Sequence, residues 1–158
     1  MTRVPRSLVL GLAFAMLTMA GSVRGAEAPR DEPLWLVTEG EAMLASPPTA
    51  RAVAELPKNG PVIKIQTPPI GAELSPPFAL DVLFEPRLGG TAAKMETLKV
   101  TYLKVIEVDV TDRFKPYIKD NRLFVEKANV PQGRHRLKIT ITDLDGRTTA
   151  EIFQVTVK

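Results

Sequence analysis

The chain contains no cysteine among its 158 residues. This absence excludes disulfide bonds, thiol chemistry, thiolate metal sites and iron–sulfur clusters. It also removes the residue on which a bacterial lipoprotein would carry its lipid. The fold must therefore be stabilised by side-chain packing and by backbone hydrogen bonds, for which a chain of this length is sufficient.

Residues with catalytic chemistry are also scarce. His135 is the only histidine, and the serines beyond residue 26, Ser46 and Ser75, both precede prolines in predicted loops. An enzyme needs a nucleophile with a base, paired carboxylates or a metal. The sequence has no GxSxG, HExxH, phosphate-binding-loop or dinucleotide-binding motif. We therefore predict a protein that is not an enzyme and needs no cofactor.

The first 26 residues have the three-part pattern of a secretory signal peptide. Arg3 and Arg6 precede an apolar run from Leu8 to Ala20, and small residues follow. The run is too short to cross a bilayer of ~30 Å as a helix that rises ~1.5 Å per residue. We predict cleavage after Gly25 or Ala26, a periplasmic or secreted protein, and no membrane span in the mature chain. A retained N-terminal anchor is the alternative.

The net charge of +3 comes from this predicted signal peptide. Residues 1–26 carry Arg3, Arg6 and Arg24 and no acidic residue, so removing them leaves 18 of the 21 basic residues against 18 acidic ones. A mature chain this close to neutral lacks the basic surface that nucleic-acid binding requires. We predict no nucleic-acid partner.

Residues 27–60 are predicted to form an N-terminal arm with short helical turns. Thr38 and Glu41 have the spacing of a capping box, which predicts a helix that stops before Pro47. A second short helix is predicted at residues 50–56. Helices of this length need tertiary contacts to be stable. We expect the arm to dock on its own domain, with a linker or a partner-binding arm as the alternative.

Apolar residues alternate with polar ones over residues 61–158, which predicts a domain of β-strands. We predict strands at 62–66, 78–84, 123–125, 134–142 and 149–158, and between 98 and 110 either one bent strand or two strands that meet near Lys104. About seven short strands at regular spacing, without crossover helices, predict an all-β fold of the sandwich type.

The tail ANVPQGRHRLKITITDLDGRTTAEIFQVTVK resembles the closing strands of bacterial Ig-like domains. The matching positions are Pro131, Gly133, Leu137, Ile139, Ile141, Asp143, Gly146, Phe153 and Val155. GPVIKIQTPPIGAELSPPFALDVLF is similar to the first two strands of such domains, and the whole chain resembles small secreted Gram-negative proteins of unknown function. The resemblance implies a single Ig-like Greek-key β-sandwich, without the cysteine pair of antibody domains, and it implies no activity.

Two acidic motifs are candidate sites for calcium or carbohydrate. Asp143 and Asp145 lie in the segment Asp-Leu-Asp-Gly, where carboxylates two residues apart can supply oxygen ligands. The same pattern is typical of a tight hairpin turn, which we favour. Asp109 and Asp112 form a second acidic cluster, for which a capped turn with a local ion pair is favoured. His135 is predicted to face inward at the start of its strand.

The outer face of the strand at 134–142 is the preferred site for partner binding. This strand, the predicted strand beside it and the arm each contribute candidate contact residues. They are Arg134, Arg136 and Lys138, then Lys99 and Leu103, and finally Trp35. A face that is partly basic and partly apolar can dock an acidic partner, although long basic side chains also cover apolar neighbours on ordinary surfaces. We predict a non-catalytic binding or accessory module with another periplasmic or envelope protein as partner. A calcium- or carbohydrate-binding module is the alternative.

Overall fold

The computed structural model describes residues 32–46 and 56–158. The predicted signal peptide and residues 50–55 of the second predicted helix lie outside the described residues. In chain order the elements are β1 (Leu34–Trp35), α1 (Glu39–Ala42), β2 (Val62–Thr67), β3 (Glu73–Leu74), β4 (Phe78–Glu85), β5 (Ala93–Tyr102), β6 (Val108–Asp109), α2 (Thr111–Phe114), a 3₁₀ turn (Lys115–Tyr117), β7 (Ile118–Lys119), β8 (Arg122–Asn129), β9 (Gly133–Asp143) and β10 (Thr148–Val157).

The strands form two mixed sheets, which confirms the all-β prediction. The first sheet has the order β1-β8-β4-β2, with β7 also paired to β8, and the second has the order β3-β10-β9-β5-β6. The pairs β1–β8 and β3–β10 are parallel, and the others are antiparallel. The expected seven strands are corrected to ten among the described residues. The count was too low because β1, β3 and β7 have two residues each and are too short to show alternation.

The inner faces of both sheets contribute to one hydrophobic core. Its fully buried members include Val82 and Phe84 of β4 and Ile141 of β9, all at positions that the alternation predicts. Removing such side chains from water is the main favourable contribution to folding, at about 25 cal/mol per Å² of apolar surface. The period-two pattern therefore gives the inward face of each long strand correctly.

Residues of the predicted arm also enter this core. β1 lies alongside the end of β8, and the two residues that follow it, Leu36 and Val37, have no exposed surface. The capping box at the start of α1 is present, because Thr38 accepts a hydrogen bond from the Glu41 backbone and Glu41 accepts one from the Thr38 backbone. The segment 32–46 thus packs on the two sheets, and α1 ends at Ala42, before the predicted stop at Pro47.

β5 and β6 are two strands joined by a turn at residues 103–107, as one of the two predicted alternatives stated. Lys104 lies in this turn, is nearly buried, and donates a hydrogen bond from Nζ to the Ala42 carbonyl at 2.7 Å. Ile106, which the alternation places on the inward face, is instead 71% exposed. The alternation does not extend to Ile106, because the chain leaves the strand conformation of β5 before it reaches this residue.

Candidate binding surface

The outer face of the second sheet brings most of the predicted contact residues together. Arg134, Arg136 and Lys138 alternate along β9 on the side that faces away from the core. β5 lies next to β9, with Thr101 opposite Lys138, and the backbone N–H of Leu103 donates to the Arg136 carbonyl at 2.9 Å. We call Arg134, Arg136, Lys138, Lys99 and Leu103 the basic face.

Acidic side chains neutralise part of the basic face. Lys138 Nζ lies 2.9 Å from both carboxylate oxygens of Glu107, and Lys99 Nζ lies 3.4 Å from Asp109. Within residues 32–46 and 56–158, neither Arg134 nor Arg136 forms an ion pair. The unneutralised positive charge of this face is therefore concentrated on these two side chains, which we call the arginine pair.

Trp35 belongs to the other sheet. It pairs with Asn129 at the end of β8, four residues before β9 begins at Gly133, and it is 47% exposed. It therefore lies at the same end of the two sheets as the arginine pair, although it is not part of the basic face. The predicted contact residues form two groups that share one end of the molecule.

At this end, four apolar side chains of the N-terminal segment and the β5–β6 turn are exposed and were not among the predicted contact residues. Met43 and Leu44 follow α1 and are 84% and 39% exposed, and Val105 and Ile106 in the β5–β6 turn are 60% and 71% exposed. The Val105 backbone donates to the Ala45 carbonyl at 2.9 Å, which holds the two segments together. We call Trp35, Met43, Leu44, Val105 and Ile106 the end patch. The break in alternation at Lys104 was the one sequence signal for it.

His135 is part of a closed network inside the core. Its Nε2 lies 2.9 Å from the Pro131 carbonyl and its Nδ1 lies 2.9 Å from the Tyr102 hydroxyl. A carbonyl only accepts hydrogen bonds, so Nε2 carries the proton and Nδ1 accepts from Tyr102. Burial, together with the charge of Lys104, lowers the pKa of His135, and burial raises the pKa of Tyr102 to about 12. The inward position was predicted, and the network leaves both ring nitrogens engaged.

Asp143 closes the turn between β9 and β10. Its Oδ1 accepts hydrogen bonds from the Asp145 and Arg147 backbones at 3.0 and 2.8 Å, and its Oδ2 accepts one from Arg147 Nε at 2.8 Å. Gly146 has φ +83°, which a glycine adopts without strain at the end of such a turn. Burial acts to raise the pKa of Asp143. These hydrogen bonds, above all the one from the Arg147 backbone, outweigh burial and lower the pKa. The hairpin prediction is confirmed, and both carboxylate oxygens of Asp143 already accept hydrogen bonds within the turn.

Asp109 and Asp112 are likewise engaged in local contacts. Asp109 Oδ1 accepts hydrogen bonds from the Thr111 backbone and hydroxyl at 3.0 and 2.5 Å, and the hydroxyl bond is the main cause of its lowered pKa. Asp112 forms an ion pair with Lys115 at 2.6 Å. Both carboxylates line an open cleft together with Lys99 and Lys115, so charges of both signs face it.

We expect calcium to leave the thermal unfolding midpoint unchanged. A ligand that binds only the native state raises the midpoint, by an amount that grows with its concentration above the dissociation constant. Because Arg147 already satisfies Asp143, we predict no shift between buffer with chelator and buffer with millimolar calcium, measured by differential scanning calorimetry. A rise in the midpoint that Asp143→Asn or Asp109→Asn abolishes would instead support the calcium alternative.

The fold and these contacts define an all-β protein of two mixed sheets that has a partly basic face and an apolar end. Among the residues described, no cluster of three or more histidine, cysteine or acidic side chains is arranged to hold a metal. No helix in the described ranges has the length and hydrophobicity needed to span a bilayer. Comparison of the chain with protein-family models, with curated proteins and with solved structures finds no match.

Proposed function

We propose that this chain is a non-catalytic binding or accessory module, built on an Ig-like Greek-key β-sandwich and exported to the periplasm. The strand order supports the Ig-like assignment, because β2, β4 and β8 are neighbours in one sheet and β10, β9 and β5 are neighbours in the other. In Ig-type folds the corresponding first, second and fifth strands share one sheet, and the third, sixth and seventh share the other. The three-part N-terminal pattern supports export.

The arginine pair is the observation that favours binding. Arg134 is exposed and Arg136 partly so, both lie on a regular strand, and the backbone of Leu103, a half-buried apolar residue, is bonded to that of Arg136. Strand positions fix the backbone spacing of such charges, so binding has to order only the two side chains and not the chain that carries them. A positive pair without an acidic counterpart in the described chain attracts an acidic partner and accelerates its association.

A pull-down from the cell envelope tests this proposal. The tagged wild-type protein is expected to retain a specific set of envelope components, and Arg134→Glu/Arg136→Glu is expected to lose them by at least about tenfold, since each reversal replaces attraction with repulsion. Lys119→Glu/Lys127→Glu, with the same change in net charge on the first sheet, is the matched control. Retention of the full set by the arginine variant would refute the proposed face.

A further inference from the structure

The end patch places several large apolar side chains in water at one end of the molecule. Met43 and Leu44 come from the N-terminal segment, Val105 and Ile106 from the β5–β6 turn, and Trp35 from the edge of the first sheet. Clustered exposed apolar side chains are uncommon on proteins that have no partner and mark interaction surfaces. The three most exposed, Met43, Val105 and Ile106, lie in chain turns at 60–84% exposure, so these side chains project into solvent and do not line a groove.

Fixed contacts hold this projection in place. The Lys104 ammonium and the Val105 backbone bond the Ala42 and Ala45 carbonyls on one side. Arg113 bonds the Leu36 carbonyl and the Glu41 carboxylate beneath it. The apolar side chains are therefore presented on an ordered base, and binding through them needs little further ordering of the backbone.

Positive charge borders the patch. Leu103, the first residue of the β5–β6 turn, is bonded to the backbone of Arg136, so the arginine pair lies beside the apolar tip. Of the nearby carboxylates, Glu41 and Glu107 are held in ion pairs with Arg113 and Lys138. Glu39 on α1 and Glu32, three residues before Trp35, are exposed carboxylates of the N-terminal segment, and together they carry the opposite charge to the two arginines.

We infer that the partner of this end is the surface of an anionic phospholipid bilayer, an inference that rests on the proposed function and names the acidic partner. A projecting apolar tip inserts among acyl chains at the bilayer interface, and adjacent arginines bind the headgroup phosphates. A protein partner would need a pocket complementary to the projection, whereas a bilayer accommodates it without one. The two signals are needed together, because neither a few apolar side chains nor two charges give stable membrane binding alone.

Vesicle pelleting tests the inference with purified lipid. The full mature chain is expected to pellet with vesicles of phosphatidylglycerol and phosphatidylethanolamine and not with vesicles of phosphatidylcholine alone. Trp35, the only tryptophan, reports insertion directly through a blue shift of its fluorescence. The double substitution Val105→Asp/Ile106→Asp is expected to reduce the bound fraction at least about tenfold, because aspartate at these positions must stay hydrated.

A matched control separates this effect from a general loss of hydrophobicity. Leu88 is fully exposed in the loop between β4 and β5, at the opposite end of the sheets, so Leu88→Asp is expected to bind as the wild type does. Because Val105 and Ile106 are exposed, their substitution leaves the core intact, and circular dichroism verifies this. Absence of wild-type binding to the anionic vesicles, or equal binding by the aspartate variant, overturns the inference. If the envelope pull-down still depends on the arginine pair, the proposed function survives that failure with a protein as partner.

Discussion

Replacing Leu36 with alanine is expected to lower the free energy of unfolding by about 2–5 kcal/mol, the range for truncating a buried leucine. Leu36 has no exposed surface and packs in the core that the two sheets share. Small proteins have total stabilities of about 5–15 kcal/mol. The loss would therefore lower the midpoint of thermal unfolding by about 6–20 °C.

Chemical denaturation of the Leu36→Ala variant measures this effect, with Met43→Ala as the control. Met43 lies seven residues further along the same segment but is 84% exposed, so its truncation is expected to change stability by less than about 0.5 kcal/mol. A larger loss of stability for Leu36→Ala than for Met43→Ala would show that residues 32–46 dock on the domain and do not act only as a linker. Equal stabilities of the two variants would show that the segment does not contribute to the core in solution.

Alternation predicts what β4, β8, β9 and β10 bury, because one face of each long strand contacts the core. The pattern in GRHRLKITITDLDG assigns Leu137, Ile139 and Ile141 to the inside, and all three are buried. It predicts the hairpin as well, since Asp143 and Gly146 meet the chemical requirements of that turn. Both features depend on residues that are close together in the sequence, so the sequence pattern alone predicts them.

Alternation and turn patterns could not predict the contacts between segments that are distant in the sequence. Nothing in the spacing of Lys104 identifies the Ala42 carbonyl as its partner, and Arg113 pairs with a carboxylate 72 positions away. The end patch depends on these contacts. Trp35 was predicted as a contact residue, but Met43 and Leu44 were assigned to a helix and Ile106 to the strand alternation, so the patch as a whole was not predicted. The ion pairs that neutralise Lys99 and Lys138 are of the same kind. Among the described residues, they leave the arginine pair as the charges of the basic face that form no ion pair.

The contact between Arg113 and Glu41 makes a second large effect predictable. Arg113 donates from both terminal nitrogens, at 2.8 and 2.6 Å, to the two oxygens of Glu41, and the side chains are only 29% and 17% exposed. This paired hydrogen bonding holds the pKa of Glu41 at about 2, below its ordinary value of 4.5, against an opposing contribution from burial. We expect Glu41→Gln to lower the free energy of unfolding by about 2–3 kcal/mol at pH 7, because Gln keeps the capping geometry but removes the charge.

The difference between wild type and Glu41→Gln should depend on pH in a defined window. Glu41 takes up a proton near pH 4.5 in the unfolded chain and near pH 2 in the folded one, so its stabilisation is fully present above pH 4.5 and is lost as pH falls towards 2. Denaturation curves at intervals from pH 7 to pH 2 measure the difference. Asp81, Asp109 and Asp143, whose pKa values are also lowered, are present in both proteins and cancel from it.

If the ion pair causes the effect, the free energies of unfolding of the wild type and of Glu41→Gln should converge near pH 2. Glu39→Gln is the control, since Glu39 lies on the same helical turn and is exposed. Its effect should be small because an exposed carboxylate at a helix start contributes only about 0.3–1 kcal/mol. A difference between wild type and Glu41→Gln that stays constant across the whole pH range would mean that the substitution acts through packing. In that case the ion pair would not be what holds residues 32–46, and with them the apolar end of the molecule, on the two sheets.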